Sequence, residues 1–166
     1  MIPLLVCDDS NMARKQLIRA LPAEWSVSLS QASNGEEALA LIRQGLGQVM
    51  LLDLTMPVLD GYQTLAALRA EGRSTQVIVV SGDVQDEAVR RVRELGALAF
   101  LKKPADPDVL RQTLIELKLF DPQGTPAAQA QAAALSSVRT KSASTVPATR
   151  NVRTRRTLPS VAAVGS

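Results

Sequence analysis

The chain has one cysteine in 166 residues, Cys7, so no internal disulfide can form. Its place in the apolar run Ile2 to Cys7 makes it a buried strand residue ahead of a redox sensor. No run approaches eighteen apolar residues, which excludes a membrane-spanning helix among ordinary readings. The opening MIPLLVCDDSN turns acidic too early for a secretory signal, so a cytoplasmic protein is the default expectation. Aromatic residues are scarce, and residues 121–166 contain no Phe, Tyr or Trp. That tail is the basic part of the chain, with six Lys/Arg against one Asp, whereas residues 1–120 carry 13 Lys/Arg and 15 Asp/Glu. Positive charge without stacking groups, a recognition-helix pattern or zinc-ligand spacing does not support nucleic acid as the partner.

Residues 1–120 alternate short β-type runs with longer amphipathic ones. Strands are expected at Ile2 to Cys7, Trp25 to Ala32, Val49 to Leu52, Gln76 to Val80 and Ala97 to Leu101. Helices are expected from Met12 to Leu21, from Gly35 to Arg43 behind a Ser33-Asn34 cap, from Tyr62 to Ala70 behind Asp60, along the stripe Ala88, Val89, Val92 and Leu95, and from Pro107 to Leu119. The last should bury Val109, Leu110, Leu114 and Leu117. This alternation implies an α/β domain with a parallel sheet and helices on both faces. From Asp121 the pattern dissolves into Ala, Ser, Thr, Pro and Arg, and residues 121–166 read as a disordered tail or linker, with at most a transient helix at Ala128 to Leu135.

Polar residues collect where the apolar strands stop: Asp8 and Asp9 after the first, Asp53 ending the third, Ser81 following the fourth and Lys103 following the fifth. The carboxyl ends of strands in an open α/β sheet form the ligand crevice, so positions spread along the chain converge on one site. Taken singly, Asp8 and Asp9 could just cap the next helix; the matching ends of the other strands argue for chemistry. Grouped carboxylates repel unless a cation joins them. Mg²⁺, with its oxygen ligands and retained waters, suits Asp9 and Asp53 as direct ligands, Asp8 directly or through water, and the backbone carbonyl near Thr55. A carboxylate so placed can attack phosphorus to form an aspartyl phosphate, with Lys103 and the Ser81 hydroxyl meeting the charge of the transferred group. Lys102 points away from the cleft if strand alternation holds, as a solvated surface charge.

The stretches VCDDSNMAR (6–14), LLDLTMPVLDGYQTL (51–65), VIVVSGD (77–83) and LGALAFLKKP (95–104) together resemble the receiver domain of bacterial response regulators, over residues 1 to about 120. The resemblance implies a flavodoxin-like (βα)5 fold of strand order 2-1-3-4-5. It implies the acidic pair at Asp8 and Asp9, the phosphoacceptor at Asp53, the switch hydroxyl at Ser81, the lysine at Lys103 and the rotamer-changing aromatic at Phe100. It implies a sensor histidine kinase or histidine phosphotransfer protein as donor and slow autodephosphorylation, with Thr55 and Asp83 at the positions that tune lifetime. Output would then run through protein contact, as in chemotaxis-type receivers, or through a phosphorylation-dependent homodimer. A receiver excised from a longer regulator is the alternative. A non-catalytic interaction domain would bind neither Mg²⁺ nor a phosphoryl analogue. A haloacid dehalogenase-type phosphohydrolase would want Asp-x-Asp from its nucleophile, where this chain has Asp53-Leu54-Thr55.

Overall fold

The computed structural model describes residues 1–123. All but the first three residues of the tail, with the helix expected at 128–135, lie outside the described residues. Five strands, β1 (Ile2–Cys7), β2 (Val27–Ala32), β3 (Val49–Leu52), β4 (Gln76–Ser81) and β5 (Ala99–Lys102), form one parallel sheet of order β2-β1-β3-β4-β5. Helices α1 (Asn11–Ala20), α2 (Gly35–Arg43), α3 (Gly61–Ala70), α4 (Asp86–Glu94) and α5 (Pro107–Glu116) follow the strands in turn. This is the flavodoxin-like arrangement expected of the motif set.

Strand alternation divides the core into two layers. Leu5, Cys7, Met50, Leu52, Val77 and Val79 point to the face covered by α2, α3 and α4. Leu4, Val6, Val49, Leu51, Ile78 and Val80 point to the face covered by α1 and α5. The central strands are apolar on both sides because both sides are covered. Each such aliphatic side chain contributes about 1.5–3 kcal/mol on full burial, set against the ordering of the chain.

The helix starts are chemically specified. Asn34 accepts the Glu37 N–H at α2, Asp60 and Gln63 form a reciprocal capping box at α3, and Asp106 caps α5 with Pro107 in its first turn. At α1 the cap is the Ser10 hydroxyl, which accepts from Ala13, so neither aspartate before it serves that purpose.

Several sequence expectations need correction, among them the end of the last helix, which stops at Glu116 with Leu117 only partly buried. Trp25 is buried but precedes β2; its indole N–H donates to the Leu119 carbonyl at 3.0 Å and its ring meets Phe120 edge-on, so its burial comes from the segment after α5 rather than from the sheet. Ser81 is the last residue of β4, not the residue after it. β5 begins at Ala99, because Ala97 still completes the turn out of α4 by donating to the Val92 carbonyl. Val109 is 52% exposed; Leu110 and Leu114 carry the buried stripe of α5, and Val109 lies on its solvent side.

Candidate functional site

The carboxyl ends of β1, β3, β4 and β5 lie side by side, and main-chain hydrogen bonds continue the sheet one residue beyond them. Asp8 donates to Ala32, Asp53 to Cys7 and Lys103 to Ser81. These bonds set Asp8, Asp53, Ser81 and Lys103 along one edge at fixed spacing.

Asp8 is 0% exposed and Asp53 5% exposed, whereas Asp9 stands in solvent. A carboxylate oxygen from each of the three lies within 4.8 Å of the others. The Lys103 ammonium bridges the buried two, 2.5 Å from Asp8 Oδ2 and 3.2 Å from Asp53 Oδ1. Asp8 Oδ1 also accepts the Ser10 N–H at 2.9 Å. Burial, followed by the charge of Asp8, pushes the Asp53 carboxyl above the usual aspartate range, against the pull of Lys103. Burial works to lower the Lys103 ammonium, but its bonds to Asp8 and Asp53 outweigh it and the net direction is up. One lysine against three carboxylates leaves the cluster net negative, with hard oxygen donors close together, a donor set that fits a small divalent cation.

The two oxygens of Asp53 differ. Oδ1 takes both the Lys103 contact and the Leu54 N–H at 2.9 Å. No buried side-chain oxygen among the described residues lacks a partner. Oδ2, which has none, therefore opens to the cleft.

Around the aspartate the chain is tightly drawn. Gly61 donates to the Leu54 carbonyl at 3.0 Å, and a Cβ there would lie 2.4 Å from the Asp53 carbonyl oxygen. In the same loop Leu59 donates to the Pro57 carbonyl at 2.8 Å across Val58, whose φ is 69°. That three-residue turn puts a β-branched residue in the left-handed region at a cost of order 1–3 kcal/mol. Glycine accepts the conformation but orders more chain entropy on folding. Val58→Gly is therefore expected to raise stability by about 1 kcal/mol in urea denaturation followed by circular dichroism; a lower midpoint would mean the turn is unstrained.

Thr55 is exposed in that loop and Met56 is buried beneath it, 3.5 Å from the Cys7 thiol. Burial first, then the charges of Asp8 and Asp53, push this thiol up to about 12. Cys7 is thus a neutral core group, as its apolar run suggested. Ser81 is buried and its hydroxyl accepts the Asp83 N–H at 3.1 Å. Phe100 is half-buried against the cluster that includes Val79 and Val92. Lys102 is exposed, as alternation required. The Lys103–Pro104 peptide bond is cis.

One neighbour of the site escaped the sequence reading. Arg14 stands in the first turn of α1, and its guanidinium folds back and donates to the Asp8 carbonyl at 2.6 Å. The signal the sequence carried was its place at the end of the stretch VCDDSNMAR, close behind the Asp8-Asp9 pair.

Strand order and acidic edge define a doubly wound α/β domain with a cleft of carboxylates at the ends of its strands. Residues 4–115 match the family model described as response regulator receiver domain, and the chain belongs to that family, the receivers of two-component systems. It is 34% identical over 119 residues to the probable C4-dicarboxylate response regulator DctR of Priestia megaterium, covering 70% of this chain and 51% of that protein. The signal receiver domain of the putative response regulator NarL from Mycobacterium tuberculosis is 32% identical, with TM-score 0.64 over 70% of this chain and 94% of that one. The CheX–CheY–BeF3–Mg complex from Borrelia burgdorferi matches at 26% identity and TM-score 0.65, over 72% of this chain and 90% of that one. The chain spans about a quarter to a half of the length of the curated relatives it matches.

Proposed function

We propose that this receiver is phosphorylated at Asp53 by a sensor histidine kinase or histidine phosphotransfer protein. The observation that carries the reading is the division of labour on Asp53. Oδ1 is fixed by Lys103 and the Leu54 N–H while Oδ2 opens to the cleft. Asp53 Oδ2 attacks phosphorus, an O–P bond forms as the P–N bond to the donor imidazole breaks, and the bonding pair returns to the ring nitrogen. Asp8, Asp9, Asp53 and the Thr55 main-chain carbonyl would hold Mg²⁺, which supplies positive charge against the phosphoryl oxygens. The CheY relative, similar in fold, is in a complex that contains BeF3 and Mg. Lys103 adds the second cation, already seated between Asp8 and Asp53.

Ser81 then turns from the Asp83 N–H toward the phosphoryl group, and Phe100 takes up the room released beside β4. Repacking along α4, β5 and α5 alters a protein-contact surface, with a phosphorylation-dependent homodimer as one form of output. In this reading residues 1–120 are the switch, 121–166 its tail or linker, and the protein works in the cytoplasm. No helix of the described residues is long and apolar enough to cross a membrane. The relatives named as transcriptional regulators extend well past the matched receiver, and DNA binding is not carried over to this chain.

Intact mass after incubation with Mg²⁺ and acetyl phosphate, under rapid acid quench, tests the reading. Wild type is expected to gain one phosphoryl mass, and Asp53→Asn none. No adduct on wild type, together with no fluoroberyllate binding, would leave a non-catalytic interaction domain. An adduct on Asp53→Asn would move the acceptor elsewhere.

A further inference from the structure

Of the three clustered carboxylates, Asp9 is the one whose aim the site leaves unexplained. Asp8 is pinned by Lys103 and the Ser10 N–H, and Asp53 by Lys103 and the Leu54 N–H. Asp9 is exposed, and no side-chain hydrogen bond among the described residues holds its carboxylate. Its direction is therefore set by the main chain that carries it, above all by the peptide unit joining Asp8 to Asp9. The carbonyl of that unit accepts the Arg14 Nη1–H at 2.6 Å. Arg14 is in turn fastened at two further points: its Nε–H donates to Gln31 Oε1 on β2 at 3.1 Å, and Nη2 to Asn11 Oδ1 at 3.4 Å. One rigid fork thus ties the edge strand, the start of α1 and the Asp8–Asp9 peptide together. A lysine, a flexible point charge, cannot reproduce three divergent bonds.

We propose that Arg14 is a positioning residue for the cation site. By clamping the Asp8 carbonyl it holds the Asp9 carboxylate within reach of Asp8 and Asp53. The proposal rests on the reading that these carboxylates bind Mg²⁺. It also has an electrostatic signature that runs against intuition. Arg14 is a cation bonded to the main chain of Asp8, so by charge alone its removal would tighten Mg²⁺ binding. A positioning role predicts the reverse, because groups that orient metal-ligating residues typically contribute at least tenfold to affinity.

Mg²⁺ titration calorimetry without any phosphodonor, on wild type, Arg14→Lys, Arg14→Gln, Gln31→Ala and Asp9→Asn, separates the cases. Urea denaturation in parallel establishes that each variant is folded. Arg14→Lys and Arg14→Gln are both expected to bind Mg²⁺ about tenfold more weakly than wild type, approaching Asp9→Asn, with Gln31→Ala between them and wild type. Wild-type affinity in Arg14→Lys with equal or tighter binding in Arg14→Gln would overturn the proposal and leave the cation site standing. If either Arg14 variant fails to fold, Gln31→Ala decides: it lies outside the cleft, and unchanged affinity there counts against the clamp. Absence of Mg²⁺ binding by wild type would overturn the cation site itself and the clamp with it.

Discussion

In Lys103→Met, phosphoryl incorporation from acetyl phosphate is expected to fall about a hundredfold, the scale of losing one fixed donor at a developing charge, while Mg²⁺ binds more tightly than to wild type. The opposite signs follow from one position. Lys103 sits between Asp8 and Asp53 at 2.5 and 3.2 Å, so under the proposed reading it would serve the transferred group and compete with a metal for the same carboxylates. Its removal also leaves two buried carboxylates facing each other, which costs about 3–5 kcal/mol where the lost partner was fully buried and less here, since Lys103 is partly exposed. The cost depends on pH. Asp53 already titrates above its ordinary range, and Lys103 is the group that restrains the shift. Without it the folded state holds the Asp53 proton still more firmly than the unfolded chain does. Stability of the metal-free variant should then decline as pH rises from the ordinary aspartate range through the raised one. Mg²⁺, binding only the folded state, should restore more stability to the variant than to wild type. Urea melts by circular dichroism with and without Mg²⁺ read both effects; an unchanged incorporation rate would remove Lys103 from the chemistry.

Gly61→Ala is expected to destabilise the domain by about 1–3 kcal/mol and to slow phosphoryl incorporation about tenfold, the order expected when a reacting group is displaced by a fraction of an ångström. The new methyl carbon would stand 2.4 Å from the Asp53 carbonyl oxygen and 2.8 Å from Leu54 Cα. Both are main-chain atoms, so the clash is relieved by moving the backbone that carries Asp53. Alanine's advantage as a helix former, about 1 kcal/mol, offsets part of the stability loss but none of the displacement. The two readouts are therefore expected to separate: a modest shift in the urea midpoint and a larger one in rate. An unchanged rate would mean the loop yields at Leu54 rather than at Asp53.

The sheet could be read from sequence because its strands are apolar on both faces and stop at charged residues. Val49 to Leu52 ending at Asp53 is the clearest instance. The same stops bring Asp8, Asp9, Asp53, Ser81 and Lys103 to one end of the sheet on the sequence alone. What escaped depends on partners remote in sequence. Trp25 looks like the start of a strand until Leu119 supplies the carbonyl for its indole. Arg14 looks like a solvated charge until the main chain at Asp8 turns toward it. Val58 gives no sign of its left-handed backbone, because the tight turn is imposed by Pro57 and Leu59 around it. Val109 falls on the helical stripe by spacing, but Leu110 and Leu114 occupy the side of α5 that meets the core and Val109 is left exposed.

Trp25, the only tryptophan, stands just before the residue pairing that opens the sheet, Ile2 with Val27, whereas Asp53 follows the last pairs of β3. The length of the strands, about 3.3 Å per residue, separates the indole from the carboxylates. Intrinsic fluorescence of this protein therefore watches the packing of the segment that follows α5 at Leu119 and Phe120. It is suited to following unfolding and to sensing whatever pulls on the segment beyond residue 120. It should stay nearly silent when a cation or a phosphoryl group arrives at Asp53, so an optical titration of that event requires a second tryptophan placed near the loop at Thr55.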